Sequence, residues 1–206
     1  MAALDEARAL LPSAATNRLS PLLSARADAL VSLERLDEAG QDVERALALV
    51  TRAGGDRYIE AVRVVRRRYW VAAGRAQDAL QDFTAHPQKA GETDTAVVKR
   101  RRQAEEAALL LATGRDAAAR NVATEALAAL ERLPERRFER DAEARLTAVR
   151  GEALLREDRV AEALPVLEKA LALHTAQYDP HSPATAKVRL ALTKAQGLIA
   201  PLSPAR

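Results

Sequence analysis

Cysteine is absent from the 206 residues, which excludes disulfides and thiolate chemistry and leaves no thiol to indicate compartment. Aromatic residues make up only 3% of the chain, little for a core built on large rings but enough for close-packed helices filled by Ala and Leu. The eight glycines form no Gly-rich phosphate-binding loop. No apolar run approaches the roughly 20 residues that a membrane-crossing helix requires. Val and Ile never alternate with polar residues over the length of a strand. Excess charge of one sign is small as well, a net +3, which gives a weak electrostatic footprint for nucleic acid. Asp5 and Glu6 stand where a secretory signal would carry basic residues. Together these absences predict a soluble, cytoplasmic, all-α protein. Arg far outnumbers Lys, a bias associated with GC-rich bacterial genomes.

Chemistry-bearing constellations are missing too. His86, His174 and His181 form no pair at helical ligand spacing, so no metal site is expected, and all three are read as surface residues. No Ser sits in a nucleophile-elbow context. The carboxylates are interleaved with Arg, as in Glu139-Arg140-Asp141 and Glu143 to Arg145, the pattern of a solvated helix face. No catalytic residue, cofactor or metal is predicted.

What the chain has in quantity is Ala, Leu, Arg and Glu, all strong helix formers. They recur in register. Asp158 is followed by Ala163, Leu167 and Ala170-Leu171, and preceded by Gly151 and Leu154. Gly114 has Ala119, Ala123 and Ala126-Leu127 after it, Ala107 and Leu110 before it. Gly74 has Ala79 and Phe83 after, Trp70 before; Glu34 has Ala39, Val43 and Ala46-Leu47 after, Ala27 and Leu30 before. The anchors lie 40, 40 and 44 residues apart, a period typical of helical repeats. Small residues let the first helix of a pair approach the second; large ones fill the gap between them. No pair hides its apolar face alone, so neighbours must stack. Arg67 departs from the pattern by standing in a small-residue slot, and His86-Pro87 replaces Ala-Leu, so that repeat's second helix should end early.

This register resembles the tetratricopeptide repeat. The longer spacing, and the stretch HSPATAKVRLAL at 181–192, resemble the roughly 42-residue variant of kinesin light chains, arrays of which also follow many bacterial Ser/Thr kinase domains and occur in some bacterial regulators. The likeness spans about residues 2–199, with the family's aromatic positions mostly replaced by Ala, Leu or Val. It implies a right-handed α-solenoid, one domain of four helix pairs at about 20–52, 56–85, 93–132 and 135–177, a capping helix at 183–199 and a disordered tail at 200–206. Ser20-Pro21 and Ser182-Pro183 are helix-start signals. Residues 2–11 read as an N-terminal half-repeat, either a cap or the second helix of a pair whose first helix belongs to a longer protein.

In that family the first helices line a concave groove. Register places Ser24, Val64, Ala104 and Ala148 in one row of it, and Val31, Val71, Leu111 and Leu155 in another. Arg68, Arg101, Arg145 and Arg156 fall on the same face with Asp28, Glu60 and Glu152. Small and apolar side chains leave room for a peptide or helix, and Arg forks can fix carboxylates. The implied function is a non-enzymatic protein-binding scaffold whose partner is a protein or peptide, an acidic one by the Arg forks. The same features suit the C-terminal regulatory region of a larger bacterial signalling protein. The Lys and Asn pairs of the family's carboxylate clamp are not reproduced, which argues against chaperone-tail binding. The runs Arg66-Arg67-Arg68 and Lys99 to Arg102 raise nucleic acid as a weaker alternative, with few aromatics to stack bases. No membrane partner is expected, and self-association is left open.

Overall fold

A computed structural model describes residues 16–52, 56–87, 96–133 and 139–199. The half-repeat at 2–11, the tail at 200–206 and most of the loop after Pro87 lie outside the described residues. The chain divides into two compact units, Met1–Pro87 and Gln88–Arg206. Among the described residues every regular element is a helix and no strand occurs.

The first unit holds α1 (Thr16–Ser32), α2 (Leu36–Arg52), α3 (Asp56–Ala72) and α4 (Ala76–Ala85). The second holds α5 (Ala96–Ala112), α6 (Asp116–Glu131), α7 (Arg140–Arg156), α8 (Val160–Gln177) and α9 (Pro183–Ile199). Consecutive helices pack against each other within each unit. The helix α4 has 10 residues where α2 has 17, since Pro87 can neither donate to a helical carbonyl nor let its predecessor stay helical.

The four repeat anchors are the turn residues. Glu34, Gly74, Gly114 and Asp158 all have left-handed φ, at 58°, 76°, 73° and 58°. In each turn the next residue, an arginine, donates its backbone N–H to the carbonyl five residues back: Arg35 to Leu30 (3.0 Å), Arg75 to Trp70 (2.7 Å), Arg115 to Leu110 (2.9 Å) and Arg159 to Leu154 (2.9 Å). This is the Schellman closure, which satisfies the last carbonyls of the first helix and reverses the chain. Three of those arginines then bind an acid three residues on, Arg35 to Glu38, Arg75 to Asp78 and Arg159 to Glu162, joining the turn to the first turn of the second helix.

The small-residue slots are contact points. Ala27, Ala107, Ala119 and Ala163 are fully buried, and a Cβ on Gly151 would lie 2.7 Å from Leu167 Cδ2. In the second unit Leu154, Leu155, Ala163, Val166, Leu167, Leu192 and Ala195 form one core. In the first, Leu23, Ala46, Val50 and Val62 form one cluster, and Ala27, Val43 and Val65 another.

Two helix-start signals behave differently. Ser182 Oγ accepts the Thr185 N–H at 3.2 Å, capping α9. Ser20 does not cap: α1 starts at Thr16, with Pro21 inside it, and the buried Ser20 hydroxyl donates instead to the Ala46 carbonyl on α2 at 3.0 Å. The Ser-Pro pair was a sound start signal locally, but packing against α2 carried the helix one turn further back.

Candidate interaction surface

In each unit the first helices touch one another as well as their own partners: α1 packs on α3, α5 on α7, and α7 on α9. The second helices α2 and α4, or α6 and α8, make little or no such contact among the described residues. The first helices therefore present a continuous face within each unit, and residues one repeat apart become neighbours on it.

In the first unit this brings Arg68 to Asp28, forty residues away; one guanidinium nitrogen reaches both carboxylate oxygens, at 2.9 and 3.2 Å. Val31, Val64 and Val71 are half-buried, whereas Ser24 is buried. Glu60 holds Arg67 at 2.9 Å. In the second unit Arg156 donates to the Leu111 carbonyl at 2.8 Å and to Glu152 at 2.6 Å, so it closes the C-terminal end of α5 and ties it to α7. Glu152 also meets Lys187 of α9 at 3.3 Å. Arg145 lies 3.8 Å from Asp141, and Ala148 is half-buried. Ala104, Leu111 and Leu155 are buried; they form the packing beneath the face and not its open surface. Arg101 is exposed and makes no ion pair with any described residue. The arginines expected to await a carboxylate are thus mostly engaged already: Arg68, Arg145 and Arg156 have acids of this chain beside them.

Several charged side chains lie deeper than their sequence context suggests. The run Arg66-Arg67-Arg68 is not one exposed basic patch: Arg68 is exposed, but its two neighbours are not. Arg67 is 1% exposed, because three consecutive helical positions point in three directions and its direction is into the α3–α4 contact. Its Nε donates to Asp82 Oδ2 at 2.8 Å, and its guanidinium carbon lies 5.4 Å from the Phe83 ring centre. Arg66 reaches the other oxygen of Asp82 at 2.5 Å and stacks over Trp70 at 4.6 Å. His86 is half-buried, with Nδ1 3.2 Å from Asp82 Oδ1. Glu139 and Glu143 are buried, not part of a solvated face, and Glu143 meets Lys169 at 3.5 Å.

Sequence reading also missed a repeated pair. Arg26 lies 3.2 Å from Asp42, and Arg66–Asp82 repeats that pair forty residues on. Both link the first helix of a pair to the second, and all four side chains are largely buried. At the matching positions of α6 and α8 stand Val122 and Val166. The signal was present as two acids, Asp42 and Asp82, each eight residues after an anchor on an otherwise apolar face. Burial pushes the pKa of Asp82 up, but the Arg67 hydrogen bond and the charges of Arg66, Arg67 and His86 outweigh it, leaving the carboxyl below its ordinary range.

His174, expected at the surface, is 4% exposed. It packs at 5.0 Å from Tyr178, whose hydroxyl donates to Asp141, and neither of its ring nitrogens closes a hydrogen bond. Burial holds its pKa below the ordinary value; a pull from the Ala144 backbone and from Asp141 only partly offsets this, and Arg145 adds to the depression. In the unfolded chain the ring takes up a proton below about pH 6.5, while the folded ring resists until lower pH. Protons therefore favour the unfolded state in that window, so the contribution to stability is complete above it and declines on acidification. We expect the melting temperature to fall between pH 7 and pH 5 and His174→Phe to reduce that fall, followed by circular dichroism. An identical pH profile in the variant would remove His174 as its cause.

Among the described residues no group of His, Cys, Asp or Glu is arranged to hold a metal ion, and no helix is long and apolar enough to cross a membrane. Comparison with protein-family models, with curated proteins and with solved structures gives no match, so the tetratricopeptide resemblance stands on its own residues alone.

Proposed function

We propose that the chain is a non-enzymatic helical-repeat scaffold of tetratricopeptide type, and that the first-helix face within each unit binds a peptide or helix of another protein. The observation that carries this reading is the asymmetry of the packing within each unit: first helices lie against first helices, while second helices make little or no such contact among the described residues. A layer whose members sit closer together is the inner layer of a curved stack, and repeat arrays bind on that side. The chemistry of the face suits a polypeptide. In the first unit Val31, Val64 and Val71 offer half-open apolar positions beside the Asp28–Arg68 pair; in the second, by itself, Arg101 offers an exposed guanidinium for an acidic side chain.

The test is a quantitative pull-down with the full chain as bait. Arg101→Glu, Arg145→Glu and Val71→Asp alter the first-helix face; Arg45→Glu, on the exposed side of α2, serves as control. The same captured proteins should drop by about tenfold or more with the first three and stay constant with the control, the circular dichroism of all four being unchanged. Loss with Arg45→Glu alone would move the site to the second helices, and equal capture by every bait would end the proposal.

A further inference from the structure

The helix α9 occupies the place of a first helix, packed on α7 and α8. One stripe of it is buried: Thr185, Val188, Leu192 and Ala195. Its start is fastened firmly, since Thr185 Oγ1 donates to the Asp179 carbonyl at 3.1 Å and Arg189 to the Pro180 carbonyl at 3.0 Å. The opposite side is unlike that of the other first helix of this unit for which both sides are covered. In α7, buried residues run around the helix from Ala142 to Leu155. In α9, Leu190 is 72% exposed and Leu198 57%. Between them a Cβ on Gly197 would meet nothing within 4 Å. Exposed apolar positions that lie together on a firmly held helix mark a contact surface.

Charge says what fits. The charged residues of α9 are Lys187, Arg189 and Lys194, with no acid among its seventeen residues. Lys187 and Lys194 flank Leu190 at three and four residues' distance, on its own side of the helix; Lys187, its side chain 67% exposed, also lies 3.3 Å from Glu152 of α7. A second copy of this chain, laid α9 against α9, would set these cations against their own kind. At about 3.6 residues per turn Lys187 and Lys194 lie between Leu190 and Leu198 around the helix, so an amphipathic helix that interleaves leucines with acids would meet apolar contact and complementary charge along one stripe. We propose that the outward side of α9 docks an acidic amphipathic helix of a partner protein. This surface is the outward side of one helix, and its test does not depend on the first-helix face binding anything.

Two labelled synthetic peptides serve as probes, both with a leucine stripe at helical spacing, one flanked by glutamates and the other by lysines. Titrated against the full chain at low salt and followed by fluorescence anisotropy, the glutamate peptide should bind at least about tenfold tighter than the lysine peptide. Leu190→Glu should weaken it by about tenfold or more. Lys194→Glu, which leaves the Lys187–Glu152 contact in place, should abolish the preference. Equal affinity for the two peptides, binding by neither, or indifference to Leu190→Glu would each overturn the proposal. So would a dimer of the unliganded chain in sedimentation that Leu190→Glu dissolves, which would make a second copy the occupant.

Discussion

Asp82→Ala should destabilise the first unit by about 3–5 kcal/mol, the range for removing one partner of a buried ion pair. The carboxylate receives Arg66 on one oxygen and Arg67 on the other, so its loss leaves two guanidiniums facing an apolar contact. Arg66 has an escape, being stacked on Trp70 near the edge. Arg67 has none of that kind, with its side chain 1% exposed. Glu60 remains beside it at 2.9 Å, which places the expected loss toward the lower end of the range. The charge pair is costly to break but not therefore a large net source of stability, because both ions were taken from water to form it. Arg67→Met with Asp82→Leu should accordingly come close to wild-type stability, within about 1–2 kcal/mol, while Asp82→Ala alone does not. Trp70 is the only tryptophan of the chain and lies under Arg66 and Arg75, so urea unfolding followed by its fluorescence reports this unit directly. A single variant as stable as the double variant would show that the pair carries no coupling.

The same carboxylate makes that unit's stability sensitive to acid. Its pKa is depressed in the folded state, so the unfolded chain binds the proton more readily near the ordinary value of about 3.9. Its stabilisation is complete above that value and disappears as the pH falls through the lower, folded one. The His174 contribution, by contrast, begins to fail below about pH 6.5.

These two groups also mark where sequence stops speaking. The turns were legible because the conformation they demand is local: a left-handed residue closing each first helix, and Glu34, Gly74, Gly114 and Asp158 are those residues. The shortened α4 was legible because Pro87 acts on its own neighbours. Arg67 was visible only as an anomaly in a small-residue slot. Its burial depends on Asp82, fifteen residues away on another helix, and a buried ion pair looks the same in sequence as two solvated charges. His174 was misplaced for a related reason: the residues that bury it, Tyr178 aside, belong to the packing of α7. The positions expected to line a groove could not be ranked by depth. Register set Ala104, Leu111 and Leu155 beside Val64 and Val71, yet the former are covered by neighbours and the latter are not. Nor could register show that Arg68 and Arg156 already hold Asp28 and Glu152.

Leu167→Ala should cost about 2–5 kcal/mol, the range for emptying a buried leucine site, and Gly151 makes the result diagnostic. Leu167 is 1% exposed and sits against Gly151 of α7. A Cβ added at Gly151 would lie 2.7 Å from Leu167 Cδ2, 2.8 Å from its Cγ and 3.3 Å from Val166 Cγ1. On an uncrowded helix surface, Gly→Ala would stabilise by about 1 kcal/mol through helix propensity. Here the methyl has no space, so Gly151→Ala should destabilise by about 1–3 kcal/mol through overpacking. The two changes are complementary in volume, one removing side-chain atoms where the other adds one. The double variant should therefore be more stable than the sum of the single effects predicts, by about 0.5–3 kcal/mol. Simple additivity, or a Gly151→Ala variant more stable than wild type, would mean that these helices do not meet at this register, and the small-against-large pairing inferred for the other repeats would lose its best-defined example.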